Sequence, residues 1–200
     1  MRLPRLIKRH AFWPAYALDW APYIAVYQIV GRFPLRTPVE LHLTALDRAI
    51  PFWPQLLPVY VGYLVYYWWT VARSEDDVQA NRIWYATHLE LLISLPFFLF
   101  YPVYMPRELF YSPEAYSWAD AFWRWFDAPQ NCFPSLHVSN VLMLMQFNRE
   151  RKYAWASNGL GALIIASTVL VKQHYVVDVA AGFAVYLAAS WLMRRVTIKD

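Results

Sequence analysis

The chain has 200 residues, 59% of them hydrophobic and only 16% charged, whereas a soluble domain carries about a quarter charged residues. The length allows one domain, the apolar excess points to lipid as the solvent, and a net charge of +4 spread over scattered Lys and Arg offers no stripe for nucleic acid. The single cysteine, Cys132, excludes an intrachain disulfide and a multi-cysteine metal site.

The N-terminus is basic (Arg2, Arg5, Lys8, Arg9), and no apolar run there ends in a small-residue cleavage site, so it reads as a retained cytoplasmic end. A spanning helix needs about 20 mostly apolar residues. The first candidate is 13–31, broken by Pro14, Asp19 and Pro22. Residues 38–50 have helical spacing of apolar positions and are expected to lie along the interface. Further spans are expected at 54–72 and 83–103, followed by an outer loop of about 30 residues rich in aromatics and acids, a length that often signals function. A short span over 134–148 opens at Pro134 and stops before the charged run Arg149–Lys152. The last two are 153–171 and 174–193. The expected fold is all-α: a polytopic six-transmembrane-helix bundle, one integral membrane domain over 1–200, without internal repeats or low-complexity segments. Eleven Trp and fifteen Tyr suit residues at membrane interfaces.

Basic residues orient the bundle. With both termini cytoplasmic, the inner segments hold Arg2, Arg5, Lys8, Arg9, Arg73, Arg82, Arg149, Arg151, Lys152, Arg194, Arg195 and Lys199. The outer segments hold only Arg32, Arg36, Arg48, Arg107, Arg124 and Lys172, so the positive-inside rule favours this topology two to one. Compactness and short loops suit a bacterial inner membrane.

Three segments then emerge on the outer face: Pro106-Arg107, Asn131-Cys-Phe-Pro-Ser-Leu-His137, and Lys172-Gln-His-Tyr-Val-Val-Asp178. Pro134 suits the first position of a helix, where its missing N–H costs nothing. The amides of Ser135, Leu136 and His137 would then face outward as an anion site, with the Ser135 hydroxyl as a further donor. His174 and Asp178 are four apart, so on one helix they share a face. A carboxylate there can hold one imidazole nitrogen and leave the other to attack. His137 is the natural general acid for the leaving oxygen. Arg107 and Lys172 would neutralise phosphate oxygens. Each segment alone has a bland explanation: a headgroup-level histidine, a four-letter coincidence, a structural i,i+4 pair. Their joint emergence on one face, in an orientation found from basic residues alone, favours chemistry.

These residues resemble the type 2 phosphatidic acid phosphatase superfamily over about residues 100–182. Its second signature, Pro-Ser-Gly-His, is matched at Pro134, Ser135 and His137, with Leu136 in the usual glycine's place. Its third, Ser-Arg and then His and Asp, is matched at Ser167, His174 and Asp178, with Thr168 at the arginine position. The first is degraded: Arg107 is followed by Glu108 rather than proline, and Phe100 stands at the lysine position. The wording is most similar to the branch containing inositol phosphorylceramide synthases. The resemblance implies metal-independent chemistry without a cofactor, through a phosphohistidine on His174, oriented by Asp178, with His137 as proton donor; Lys172 is the candidate replacement for the lost arginine.

The expected activity is hydrolysis of a membrane lipid phosphate. Headgroup transfer to an alcohol uses the same residues. A non-enzymatic protein that kept the fold, and a metal hydrolase with His137, His174 and Asp178 as ligands, are the readings of other classes. Asp19, His88 and Glu90 fall inside expected spans and are functional candidates by default, with structural pairing across the bundle favoured for the latter two. Gly159, Gly161, Ala180, Ala181 and Gly182 read as close-packing positions. Phe97, Phe98, Phe100, Tyr101, Tyr104, Phe110 and Tyr111 read mostly as interface belt, some shaping a groove for a lipid chain.

Overall fold

The computed structural model describes residues 1–8, 13–110 and 130–199, apart from the side chains of 13–19 and of Glu108. Tyr111, most of the outer loop and the Asp19 side chain therefore lie outside the described residues. Among those described, eight α-helices run in the order α1 (Trp13–Arg32), α2 (Ala45–Ala49), α3 (Leu57–Val61), α4 (Tyr63–Ala72), α5 (Asp77–Phe100), α6 (Leu136–Asn148), α7 (Ala154–Leu170) and α8 (Val176–Met193). Two short parallel ladders join β1 (Arg2–Leu3) to β4 (Thr197–Ile198) and β2 (Val39–Glu40) to β3 (Val103–Tyr104).

The protein is mostly helical, with a helix at each of the six expected places; α3 and α4 share one of them. By length and composition, α5 and α8 could cross a membrane, whereas α7, although apolar, has 17 residues. At 1.5 Å per residue, α6 spans only about 20 Å of a hydrocarbon core about 30 Å thick. It lies at the centre, against α4, α5, α7 and α8. Val138, Val141, Met143 and Leu144 on it are at most 1% exposed, so it meets protein more than lipid.

Local signals explain the shifted boundaries. α5 begins six residues before the expected span because the Asp76 carboxylate accepts from the Gln79 amide at 2.7 Å and caps a polar first turn. The expected interfacial helix over 38–50 is not formed. Val39 donates to Pro102 at 2.8 Å and pairs as strand, while Thr44 caps a helix of only five residues that stops before Pro51. Nor is Pro134 the first helical residue: it follows a cis peptide bond, and Ser135 caps α6 one residue later.

Polar side chains tie the helices inside the bundle. The Tyr63 hydroxyl donates to Asn140 at 3.1 Å, Asn140 donates to the Tyr23 hydroxyl at 3.3 Å, and Asn148 donates to Thr70 at 3.0 Å. Buried polar groups must be partnered to be tolerated, and here α1, α4 and α6 partner one another.

The two ends of the bundle differ. At one, β1 pairs with β4, Arg82 donates to Val196 O at 3.1 Å, and Arg151 donates to Gln79 Oε1 at 3.0 Å. At the other, Cys132 donates to Val103 O at 3.1 Å, and Trp53 donates to Leu170 O at 2.8 Å. The three chemistry-bearing segments meet at this second end.

Candidate active site

His174 sits just ahead of α8, in a turn that begins where α7 stops. Val171 closes α7, and Lys172 takes a left-handed backbone, φ 51°, at the position where glycine usually ends a helix. The amides of Gln173 and His174 both donate to Thr168 O, at 3.0 and 3.1 Å. Thr168, at the signature's arginine position, thus holds the histidine turn through its carbonyl, while its hydroxyl donates back to Ile165 O.

Asp178 orients the ring, though not as an i,i+4 neighbour on one helix. It is the third residue of α8, and its Oδ2 accepts from the Tyr175 amide at 2.9 Å. The same oxygen lies 3.3 Å from His174 Nδ1, which lies 2.9 Å from Cys132 O. Two acceptors on Nδ1 place a hydrogen there, so in the neutral ring the lone pair is on Nε2. Both side chains are buried, at 5% and 0% exposure.

His137 is in the first turn of α6, and ring contacts position it. It stacks on Tyr60 at 4.0 Å, lies 5.0 Å from Tyr63, and stands 6.2 Å from the His174 ring, centroid to centroid. Two rings separated by 37 residues of sequence thus come to lie side by side at one end of the bundle.

Ser135 and Leu136 complete the edge. The Ser135 amide donates to Asp178 O at 3.1 Å and so is not an outward-facing donor. Its Oγ accepts from the Val138 amide at 3.4 Å, which leaves the hydroxyl hydrogen to donate elsewhere. The Leu136 side chain is buried in the core, while its amide and that of His137 stand at the first two helical positions, which have no carbonyl partner within the helix.

Arg107 is half-buried and opens a one-turn 3-10 helix, Arg107–Leu109, just beyond β3. Lys172 reaches a different partner: its ammonium donates to Asp47 O and Ile50 O, both at 2.7 Å, and sits over the Phe110 ring. Burial lowers its pKa and the neighbouring Asp47 carboxylate raises it, leaving the ammonium below the usual lysine range.

Asp47, absent from the sequence reading, completes this strap. Its Oδ1 accepts from the Val176 amide at 2.8 Å, and its Oδ2 from Thr44 N and Thr44 Oγ1. Burial pushes this carboxyl up, but the Thr44 hydroxyl, the Val176 and Thr44 amides and the Lys172 charge together hold it below the usual carboxylate range. The residues on either side of the His174 turn, 172 and 176, are therefore both tied to residue 47. The signal in the sequence is Thr44-x-x-Asp47, a capping-box spacing. Tyr60 and Tyr63 carried no such signal in an aromatic-rich span.

Away from the site, His88 Nδ1 donates to Trp84 O at 2.8 Å and its ring lies edge-on to Tyr23. Both Glu90 carboxyl oxygens are buried without a hydrogen-bond partner among the described residues, so the expected pairing is not formed there. Phe98 is a core residue rather than belt, while Phe97, Phe100 and Tyr101 are 41–61% exposed. Phe97, Phe133, Pro134, Ala181 and Val185 help line an apolar hollow of about 340 Å³ between α5 and α8. Its wall residues Pro134 and Ala181 adjoin Ser135 and the first turn of α8.

The arrangement offers an oriented imidazole with a free nitrogen, a second imidazole facing it, and helix-start donors at the edge. A family model described as the PAP2 superfamily matches residues 56–192, which holds both histidines, Asp178 and Ser135. No curated protein and no solved structure matches the chain.

Proposed function

The chain belongs to the PAP2 superfamily, whose members are generally phosphoesterases, and from that premise we propose that it is an integral membrane lipid-phosphate phosphatase working through a phosphohistidine. The observation that carries the reading is the facing pair, 6.2 Å between ring centroids, with Nδ1 of one ring engaged by Asp178 and Cys132 O. His174 Nε2 attacks phosphorus. The P–O bond to the lipid breaks, and protonated His137 gives its proton to the leaving oxygen. Neutral His137 then takes a proton from water as that water attacks the phosphohistidine. The N–P bond breaks, phosphate departs, and both rings return to their starting states. The amides of Leu136 and His137, the Ser135 hydroxyl and Arg107 are proposed to hold the phosphoryl oxygens, and Lys172, engaged by Asp47 O and Ile50 O, to hold the His174 turn. The apolar hollow beside Pro134 supports a lipid rather than a soluble ester. The proposed orientation puts this end of a six-span bundle at the outer leaflet, with both termini cytoplasmic.

The wording of Pro134-Ser-Leu-His137 and Lys172-Gln-His-Tyr-Val-Val-Asp178, similar to the branch containing inositol phosphorylceramide synthases, supports a second reading on the same residues: the phosphorylated headgroup passes to a lipid or sugar alcohol instead of water.

A panel of phospholipids, prenyl phosphates and sphingolipid precursors tests both readings, scored for released phosphate and for new lipid products with and without alcohol acceptors. Acid-labile phosphate trapped on wild-type protein and missing from His174→Ala is expected. His174→Ala and His137→Ala should each cost several orders of magnitude, Asp178→Asn less. Activity in His174→Ala comparable to wild type would end the phosphohistidine proposal.

A further inference from the structure

We propose that Cys132, His174 and Asp178 form an inhibitory binding site for a thiophilic divalent cation such as zinc. The proposal rests on the reading of His174 as nucleophile for its inhibitory part and not for binding. One ligand atom from each residue lies within 4.8 Å of the others, and all three side chains are buried. Asp178 Oδ1 is buried without a hydrogen-bond partner among the described residues, so the cluster holds an acceptor that the orientation of His174 leaves unused. Zinc binds thiolate sulfur at about 2.3 Å and imidazole nitrogen or carboxylate oxygen at about 2.0–2.2 Å, which sets the ligands of one ion roughly 3–4 Å apart. His174 Nδ1 and Asp178 Oδ2, at 3.3 Å, already have that separation. A small side-chain adjustment brings the Cys132 sulfur to it. The fourth position is open to water.

The chemistry of occupancy follows from the tautomer. The ion takes the place now held by the Nδ1 hydrogen. Cys132 releases its thiol proton to solvent, and the imidazole hydrogen moves from Nδ1 to Nε2. The nitrogen that must attack phosphorus then carries a hydrogen and has no lone pair. One proton is released for each ion bound, so affinity rises with pH until the thiol is ionised. The same cluster therefore separates inhibition by metal from metal-assisted hydrolysis, in which the ion would raise the rate.

The test uses the purified full-length protein in detergent, titrated with zinc for rate and with cadmium for its ultraviolet thiolate-to-metal band. Cys132 is the sole cysteine, so the band reports this site alone. Zinc should suppress the wild-type rate, and the midpoint should rise about ten-fold or more in Cys132→Ser and Cys132→Ala, each normalised to its own metal-free rate. The cadmium midpoint should rise about ten-fold or more in Asp178→Asn and in His174→Gln, as expected for loss of one ligand. Cadmium midpoints equal to wild type in both variants mean a solitary thiol and overturn the site. Zinc inhibition indifferent to Cys132, or activation by zinc, overturns the inhibitory role. A preparation without any phosphate release would count against the proposed activity, and its cadmium titration would still decide the site.

Discussion

Asp47 accepts four hydrogen bonds, from two Thr44 donors, the Val176 amide and, through its backbone carbonyl, Lys172. It touches neither histidine, so its effect on the reaction is one of position: it fixes the start of α8 two residues beyond His174. Asp47→Ala should cost about 1–3 kcal/mol of stability, the range for a buried amide left without its acceptor. It should also lower kcat while leaving KM nearly unchanged, because a misaimed nucleophile loses rate more than binding. Asp47→Asn, which keeps one accepting oxygen, should recover part of both. The carboxyl is held below its unfolded value, so its stabilisation is complete above the ordinary carboxylate range and is lost as pH falls through the lowered one. The acid limb of thermal stability should accordingly be flatter in Asp47→Asn. Lys172 separates two roles. If the ammonium binds phosphate, Lys172→Met weakens inhibition by vanadate; if it holds the turn through the carbonyls of Asp47 and Ile50, kcat falls and vanadate inhibition stays. The two 2.7 Å hydrogen bonds favour the second outcome.

Helix α8 can lie against the start of α6 because residue 182 has no side chain. A Cβ there would stand 2.5 Å from Ser135 O and 3.0 Å from the Val138 Cβ, a backbone and a core atom that cannot swing away. Gly182→Ala should therefore cost about 1–3 kcal/mol and separate Ser135 from Asp178, with a loss of rate beyond the loss of stability. Gly161 meets the flexible Met145 side chain, so an added methyl there costs less. Gly159 has nothing within 4 Å and is not a packing glycine; Gly159→Ala should stabilise by about 0.5–1 kcal/mol in denaturant unfolding. The contrast shows what could be read from sequence. Apolar runs located all six helical places, since burial and lipid both select for them. Small residues marked close approach at 161 and 182 but carried no sign of which neighbour, if any, lay opposite at 159. The segment 38–50 misled because helical periodicity over a dozen residues outweighed Pro38, Thr44 and Pro51, whose local geometry decides where a helix can start and stop. The candidate site was legible as residue types, and the spacing of His174 and Asp178 drew attention to two side chains that do meet. The reason they meet was different: Asp178 caps a helix that begins after His174.

At the scale of the whole molecule, orientation is the property on which access to substrate depends. The residues assigned inward by charge gather at one end: Arg2 on β1 beside β4, Arg82 on Val196, Arg151 on Gln79. The site gathers at the other, with β2, β3 and the Lys172 turn. The fold therefore makes one of these ends face each side if the long helices α5 and α8 cross the bilayer, and the surplus of basic residues chooses which. Single-cysteine probes in a Cys132→Ser background can read that choice. Arg36→Cys, at an exposed position beyond α1, should react with an impermeant maleimide in intact cells. Glu150→Cys, whose native side chain is 79% exposed in the α6–α7 turn, should react only after permeabilisation. The reverse pattern would place the histidine pair in the cytoplasm and redirect the substrate search to the inner leaflet. Labelling of both in intact cells would break the link between the two ends and the two sides of the membrane, because a bundle of this connectivity cannot present both to one compartment while α5 and α8 span it.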